Sequence, residues 1–170
     1  MTTTWLPDLP PGETDWDRVA ALLPAAFEAV AELQRTVWAS FDPVVLELAR
    51  LRTAQLLGFS AGLAVRSAAA RRMGLEEARI SALAEWPTSP LFSDAERACL
   101  ALTEQFVMDA NGVTDELVGA VLEQYSAADC HTFVNAVSAF ETFQRGCLTL
   151  GIGSSPEAAW LSPPPREDPA

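Results

Sequence analysis

The chain has 170 residues, 49% of them hydrophobic, and this length and composition suit one globular domain with a sizeable core. Its formal net charge of −12 would repel the phosphates of nucleic acid and an anionic membrane surface, so we expect neither as a partner. The first residues, Met1 to Trp5, lack the basic start and apolar run of a secretion signal, and no apolar stretch is long enough to span a membrane. We therefore expect a cytoplasmic protein.

Proline-rich segments at both ends predict extended arms, an N-terminal one over residues 1–13 and a C-terminal tail over residues 154–170. Residues 14–153 are predicted to form a single helical domain between them. No segment there alternates polar and apolar residues for long enough to indicate a strand, and the apolar spacing is helical throughout. The sequence therefore predicts an all-α, compact multi-helix bundle of roughly seven or eight helices.

Capping residues and helix breakers mark the first three helices. Thr14 is placed to cap a first helix, and Pro24 restarts the chain as a second helix. Asp42 followed by Pro43 predicts the start of the third helix, because aspartate accepts hydrogen bonds at the N-cap and proline suits the first turn. Gly58 is placed to end that helix.

The next segment is predicted to form one helix from Ser60 to Met73, followed by a short helix from about Glu76 to Glu85. Three later helix starts carry capping residues: Ser93 with Glu96, Thr114, and Ser126 with Asp129. The first of these helices is expected to reach about residue 110. The last is expected to end at Gly151.

The three cysteines, Cys99, Cys130 and Cys147, are far apart in sequence and form no Cys-x-x-Cys pair, so we interpret them as reduced core thiols. His131 is the one histidine, which rules out a histidine-rich metal site within one chain. We expect no metal and no other cofactor. His131 near the start of the last helix is either a structural or surface residue, or one that lines a substrate pocket.

A resemblance to a known family rests on the spacing of five positions. Glu47, Gln55, Phe59, Gly62 and Arg66 lie at spacings that resemble the signature of the carboxymuconolactone decarboxylase and alkylhydroperoxidase-like family. There a glutamate is followed, twelve residues on, by Cys-x-x-Cys-x-x-x-His. In this chain Phe59 and Gly62 replace the two cysteines, and Arg66 replaces the histidine.

The likeness covers about residues 38 to 151, where further stretches lie in the family's order. They are Trp38, Asp42-Pro43, Met73 to Leu75, Ala84 to Trp86, Ser89 to Ser93, Glu96 to Ala98, Glu141 to Arg145, and Leu150-Gly151. The resemblance implies a bundle of the alkylhydroperoxidase-like type and a homo-oligomer, a trimer or hexamer. The mean hydropathy of +0.14 also predicts self-association, because a small helical monomer offers too little interior for so many apolar residues.

The changed signature positions disfavour thiol peroxidase chemistry, which needs an attacking and a resolving cysteine. Phe59, Gly62 and Arg66 are spaced i, i+3, i+7, which places them on one helix face. Phe59 would then form an apolar wall, Gly62 would leave space beside the backbone, and Arg66 would present a positively charged fork to an anionic or carbonyl-bearing ligand. Alternatively the site has decayed, and Arg66 points to solvent or pairs with Glu47.

Two carboxylates are candidates for proton transfer. Glu47 has apolar flanks, which predicts a buried acid or base, although a surface glutamate paired with Arg50 is the alternative. Glu141 lies in an apolar stretch of the last helix and either enters the same pocket or forms an ion pair with Arg145, four residues on.

These residues support two functional hypotheses. The first, implied by the resemblance, is a cofactor-free acid–base enzyme that acts on a small carboxylated or enolisable metabolite as a decarboxylase, isomerase or cyclase-like lyase. In it Glu47 moves a proton and Arg66 holds a carboxylate or enolate, while the substrate is bound by Phe59, Gly62, Gln55, Glu141 and His131. The second is a non-catalytic oligomeric binding or scaffold protein, a redox-inactive relative of the peroxidases. An open polar cavity between Glu47 and Arg66 favours the enzyme, and a cavity filled by Phe59 and its neighbours favours the scaffold.

Overall fold

Local sequence signals determine most helix boundaries in the computed structural model, which describes residues 4–152. The helices are α1 (Asp15–Ala20), α2 (Pro24–Ser40), α3 (Pro43–Leu57), α4 (Ser60–Ala64), α5 (Ala68–Arg72), α6 (Glu77–Ser81), α7 (Asp94–Met108), α8 (Asp115–Leu122) and α9 (Ala127–Leu150), with short 3-10 turns at Leu83–Glu85 and Ala110–Gly112. No residue between 4 and 152 lies in a β-strand, so the predicted all-α class is confirmed.

The predicted helix starts are confirmed by their capping bonds. At the start of α1, α7 and α9 a hydroxyl accepts the N–H of the third helical residue, whose carboxylate accepts the cap's own N–H. The pairs are Thr14 with Asp17, Ser93 with Glu96, and Ser126 with Asp129. Thr114 caps α8 in the same way through its hydroxyl alone. Each cap satisfies backbone donors that the first helical turn leaves unpaired.

The third helix has both boundaries where the sequence places them. The Asp42 carboxylate accepts from the N–H groups of Val44 and Val45, at 2.7 and 3.4 Å. Gly58 ends the helix at φ +67°, a left-handed conformation that favours glycine. Every residue from Val44 to Leu51 is buried, because α3 packs between α7 and α9. Helix α3 is therefore the central element of the bundle.

One predicted helix is wrong. Residues 60–73 form two short helices instead of one, because α4 ends at Ala64 and Val65 is extended at φ −94° and ψ 148°. Ser67 then caps α5. The predicted helix over residues 76–85 is likewise divided into α6 and a 3-10 turn, and α7 ends at Met108.

The described part of the N-terminal arm contains no helix and crosses the end of α9. The Thr4 hydroxyl donates to the Leu150 carbonyl at 2.7 Å, and the Trp5 N–H donates to the same oxygen at 3.2 Å. The Trp5 indole lies against Gly151, where an added Cβ would come within 2.9 Å of the ring. The arm and domain boundaries stay predictions, and the tail over residues 154–170 lies outside the described residues.

None of the helices in residues 4–152 combines the length and the apolar character that crossing a bilayer requires.

Candidate functional site

The signature glutamate is part of a fully buried ion pair. Glu47 is 0% exposed and Arg50 is 1% exposed. Arg50 donates from Nε to Oε2 of Glu47 at 2.7 Å and from Nη2 to Oε1 at 2.9 Å. The backbone N–H of Ser67 donates to the same Oε1 at 2.9 Å. Glu47 is therefore buried as predicted and pairs with Arg50, so its carboxylate is engaged within the protein.

The same arginine explains why the chain breaks after α4. Arg50 donates to the carbonyl of Gly62 at 2.8 Å and to that of Val65 at 2.9 Å. Together with the Ser67 N–H bound by Glu47, these are backbone groups that a continuous helix would pair internally. Because the buried ion pair satisfies them instead, the chain is extended at Val65 and restarts at Ser67.

This break directs Arg66 away from the glutamate. Its guanidinium pairs with Glu77 at 3.0 Å and donates to the carbonyls of Leu63 and Val65. The hydrogen bond from Arg66 holds the pKa of the Glu77 carboxyl below its usual range. The structure therefore does not bring Arg66 and Glu47 together. Arg66 also does not share a helix face with Phe59 and Gly62, because the helix is interrupted at Val65.

The space beside Gly62 is filled by Phe59. Phe59 is 4% exposed, and a Cβ added to Gly62 would lie 2.6 Å from Cδ1 of its ring. The ring packs in what we call the Phe59 cluster, whose buried members are Ala54, Phe59, Phe143, Cys147 and Ile152. Phe59 and Gly62 thus form packed core in place of the two cysteines.

The three remaining predicted site residues lie apart from Glu47. Glu141 forms the i, i+4 ion pair with Arg145 at 2.8 Å, in agreement with the alternative interpretation. Gln55 accepts a hydrogen bond from Arg52 at 2.8 Å. His131 is exposed, and its ring lies 3.2 Å from the Asn135 amide nitrogen. These three side chains therefore do not line a common pocket with Glu47.

A cavity lies between α1, α2 and α9, and we call it the α2–α9 groove. Its volume is about 500 Å³. It is lined by Trp16, Val19, Ala20, Leu23, Ala26, Phe27, Val30, Leu33, Gln34, Asn135, Ser138, Ala139, Thr142, Phe143, Gly146, Cys147, Leu150 and Ile152. The groove opens to solvent at its rim, since Leu23 is 64% exposed and Leu33 is 46% exposed.

The α2–α9 groove is apolar and uncharged. None of its described lining residues is an aspartate, glutamate, lysine, arginine or histidine. Burial raises the pKa of the Cys147 thiol to about 12, so this sulfur is a neutral group and not a nucleophile at physiological pH. Two of its polar side chains bond to their own helix, Ser138 to the Val134 carbonyl at 2.9 Å and Asn135 to the His131 carbonyl at 2.8 Å.

The groove adjoins the signature positions through a shared wall. Phe143, Cys147 and Ile152 line it and also belong to the Phe59 cluster. This groove was not predicted from the sequence. Two features of the sequence indicate it. Apolar residues recur at helical spacing along α2 and its N-cap, at Leu23, Phe27, Val30 and Leu33, and small residues recur along α9, at Ser138, Thr142 and Gly146.

The cysteines agree with the interpretation as core thiols. All three are buried and free. Within residues 4–152, no three or more side chains of the His, Cys, Asp and Glu types form a group placed to hold a metal ion.

Three known proteins are similar to this chain. Uncharacterized protein YdfG of Bacillus subtilis strain 168 is 25% identical over 132 residues, which are 76% of this chain and 90% of YdfG. The structure of ATU0492 of Agrobacterium tumefaciens, a protein of unknown function for which an AhpD antioxidant-defence role has been suggested, matches with a TM-score of 0.74 at 24% identity. The match covers 81% of this chain and 95% of that one. The debrominase Bmp8, as its C82A variant in complex with 2,3,4-tribromopyrrole, matches with a TM-score of 0.71 at 17% identity, over 86% of this chain and 79% of that one.

The family model agrees with these similarities and with the signature described above. The model of the carboxymuconolactone decarboxylase family matches residues 22–105, which include Glu47, the two replaced cysteine positions and Arg66. The helical fold is that of the AhpD-like structure. Over residues 22–105 the chain therefore resembles the carboxymuconolactone decarboxylase family, without the Cys-x-x-Cys pair.

Proposed function

We propose that this protein binds a small, uncharged and predominantly apolar molecule in the α2–α9 groove. The observation that carries the proposal is the size of the groove together with the chemistry of its lining. Its volume of about 500 Å³ lies within the range of roughly 300–1,000 Å³ that is usual for ligand pockets. Its walls are apolar side chains with a few polar groups among them, which is the composition that such pockets share.

The lining also selects against charged ligands. A carboxylate in the groove would lose its hydration without meeting a cation among the described lining residues, and that loss costs several kcal/mol or more. An apolar ring would instead gain about 25 cal/mol for each Å² of surface removed from water. The groove therefore suits a neutral ligand better than the carboxylated metabolite expected from the sequence.

The comparison with Bmp8 supports the same class of ligand. That debrominase binds 2,3,4-tribromopyrrole, a flat, halogenated ring, and it shares the fold of this chain. A fold that accepts such a ring in one protein is consistent with an apolar ligand in another, although folds host many functions.

Binding is tested with prodan, a neutral naphthalene dye without hydrogen-bond donors whose emission shifts in apolar surroundings. Gly146 lines the groove, and a Cβ added there meets no atom within 4 Å, so Gly146→Leu places a larger side chain at the groove wall. Gly119→Leu is the matched control, because Gly119 is also helical and open but does not line the groove. We expect wild type and Gly119→Leu to bind the dye and Gly146→Leu to lose it. Equal binding by all three, or no binding by wild type, contradicts the proposal.

Acid–base catalysis is the second candidate function. Similarity to the carboxymuconolactone decarboxylase family over residues 22–105 is compatible with activity. The complete burial of Glu47 opposes it, since a proton-transfer group must reach the proton it moves, and here Arg50 and Ser67 occupy the carboxylate. If Glu47 is the acid or base, the Glu47→Gln variant should turn over a true substrate about a hundredfold more slowly, or slower still, while it still binds the ligand. Unchanged turnover excludes Glu47 as the acid or base.

The expectations about partners and location stay part of this proposal. The charge of −12 supports a protein that binds neither nucleic acid nor an anionic membrane. The cytoplasmic location remains an expectation from the sequence. Absence of binding to duplex DNA and to anionic vesicles at low salt is the corresponding measurement.

A further inference from the structure

The α2–α9 groove contains one polar group that the protein leaves unpaired. Gln34 lies on α2 and is 2% exposed. Its side-chain oxygen Oε1 is buried and has no hydrogen-bond donor among residues 4–152. The same side chain lines the groove and a void of about 10 Å³ beside it, between Trp16, Phe27 and Phe143. The side chain of Gln34 therefore borders the groove, and its oxygen is buried and unpaired beside the groove wall.

An unpaired buried oxygen is unusual and needs a physical reason. Most buried polar groups in proteins have a partner, and one without a partner costs about 1–3 kcal/mol. The adjacent void has room for about one water molecule at most, and its walls apart from Gln34 are apolar or aromatic side chains. Trp38 Nε1, one turn further along α2, also has no acceptor within the described chain, so the two groups do not satisfy each other.

The other polar side chains of the groove differ from Gln34. The hydroxyl of Ser138 and the amide of Asn135 donate to carbonyls of α9, as described above. Gln34 is the groove residue whose buried acceptor has no such internal bond in the part of the chain that the structure describes. A ligand that carries a hydrogen-bond donor gains a partner here that a purely apolar ligand lacks.

From this geometry we infer that Gln34 determines which ligand the groove selects, by accepting a hydrogen bond from a single N–H or O–H group on an otherwise apolar, flat molecule. Phenols and N–H heteroaromatic rings are the classes that combine these features. A site built to hydrogen-bond a donor discriminates against an analogue without it, because the acceptor is then left unpaired in an apolar environment. The inference rests on the proposed binding function and specifies its ligand.

The test compares 2-naphthol with 2-methoxynaphthalene, which have the same ring system and differ in the donor. The concentration of each compound that displaces prodan is measured for wild type and for Gln34→Met. This substitution replaces the amide by an apolar group of similar length. We expect the preference for 2-naphthol over 2-methoxynaphthalene to be about fivefold greater in wild type than in Gln34→Met. Equal preferences in the two proteins overturn the inference, while prodan binding by wild type shows that the groove itself still binds.

Two further measurements keep the test independent of folding defects. Gln34→Met in the absence of ligand should unfold at a higher temperature than wild type, because it removes an unpaired buried oxygen. A lower unfolding temperature would mean that the amide is already satisfied in the free protein, which overturns the inference. Gln144→Met is the control for ligand preference, since Gln144 is also buried with an unpaired Oε1 but does not line the groove, although its Nε2 donates to the Arg50 carbonyl at 3.1 Å. A change of ligand preference in this control as large as that in Gln34→Met also overturns the inference.

Discussion

Replacing Arg50 by methionine should strongly destabilise the protein, because Arg50 and Glu47 form an ion pair in which both side chains are 1% exposed. Methionine has a similar length and fits apolar surroundings, but it donates no hydrogen bonds. The substitution leaves the buried Glu47 carboxylate without its guanidinium partner, and it removes the arginine donor from the carbonyls of Gly62 and Val65. It therefore tests directly whether this pair holds the break between α4 and α5.

The magnitude follows from complete burial. Removing one partner of a buried ion pair costs about 3–5 kcal/mol, because the remaining charge is desolvated and uncompensated. Domains of this size are stable by roughly 5–15 kcal/mol, so the variant should lose a large share of its stability. A shift of about 2–4 °C per kcal/mol predicts an unfolding temperature lower by roughly 6–20 °C.

The assay is urea denaturation followed by circular dichroism, with the slope of the transition checked for two-state behaviour. Arg35→Met is the matched control. Arg35 pairs with Glu32 at the same i, i+3 spacing, at 2.9 Å, but its side chain is 27% exposed and that of Glu32 is 41% exposed. Such a solvent-exposed pair contributes at most about 1 kcal/mol, so the control should change little.

A double variant separates the ion pair from general packing. Glu47→Met combined with Arg50→Met removes both charges, so it should be more stable than Arg50→Met alone although it retains the unpaired carbonyls. Our reasoning is refuted if Arg50→Met lies within about 1 kcal/mol of wild type. It is equally refuted if the double variant is less stable than the single one.

Three more predictions concern the signature core, the thiols and assembly. Gly62→Ala should lower the free energy of unfolding by about 1–3 kcal/mol, because its Cβ would lie 2.6 Å from the Phe59 ring. Phe59→Leu should recover part of this loss, and a Gly62→Ala variant as stable as wild type would contradict the packing argument. Burial raises the pKa of Cys99 and of Cys147 to about 12, so at pH 8 iodoacetamide should label them far more slowly in native than in urea-unfolded protein. Since these folded pKa values exceed the unfolded value of 9.0, the thiols' contribution to stability is complete below pH 9 and is lost as the pH rises towards 12, which pH-dependent unfolding measures. We also propose that the chain forms a homo-oligomer, a trimer or hexamer, supported by its exposed apolar side chains; light scattering at micromolar concentration should exceed the monomer mass of 18.3 kDa, and a mass equal to it would exclude this proposal.

The sequence by itself determined the helix boundaries that depend on local bonds. Thr14, Ser93 and Ser126 cap helices because each reaches a backbone N–H only three residues away. Gly58 and Gly151 end helices because a left-handed residue closes the last turn, at φ +67° and +62°. Such signals act within one turn, so they can be read without knowing how the chain packs. The apolar flanks of Glu47 also indicated its burial, because a helix with apolar residues on all sides packs in the interior.

The site could be decided only by tertiary structure. The spacing of Phe59, Gly62 and Arg66 indicates a common face only if the helix continues, but Arg50, on another helix, binds the carbonyls that would continue it. The α2–α9 groove depends on residues more than a hundred positions apart, such as Gln34 and Ser138, whose separation in sequence carries no sign of their proximity. Whether the oxygen of Gln34 finds a partner likewise depends on which side chains pack around α2, and local propensity contains no information on that.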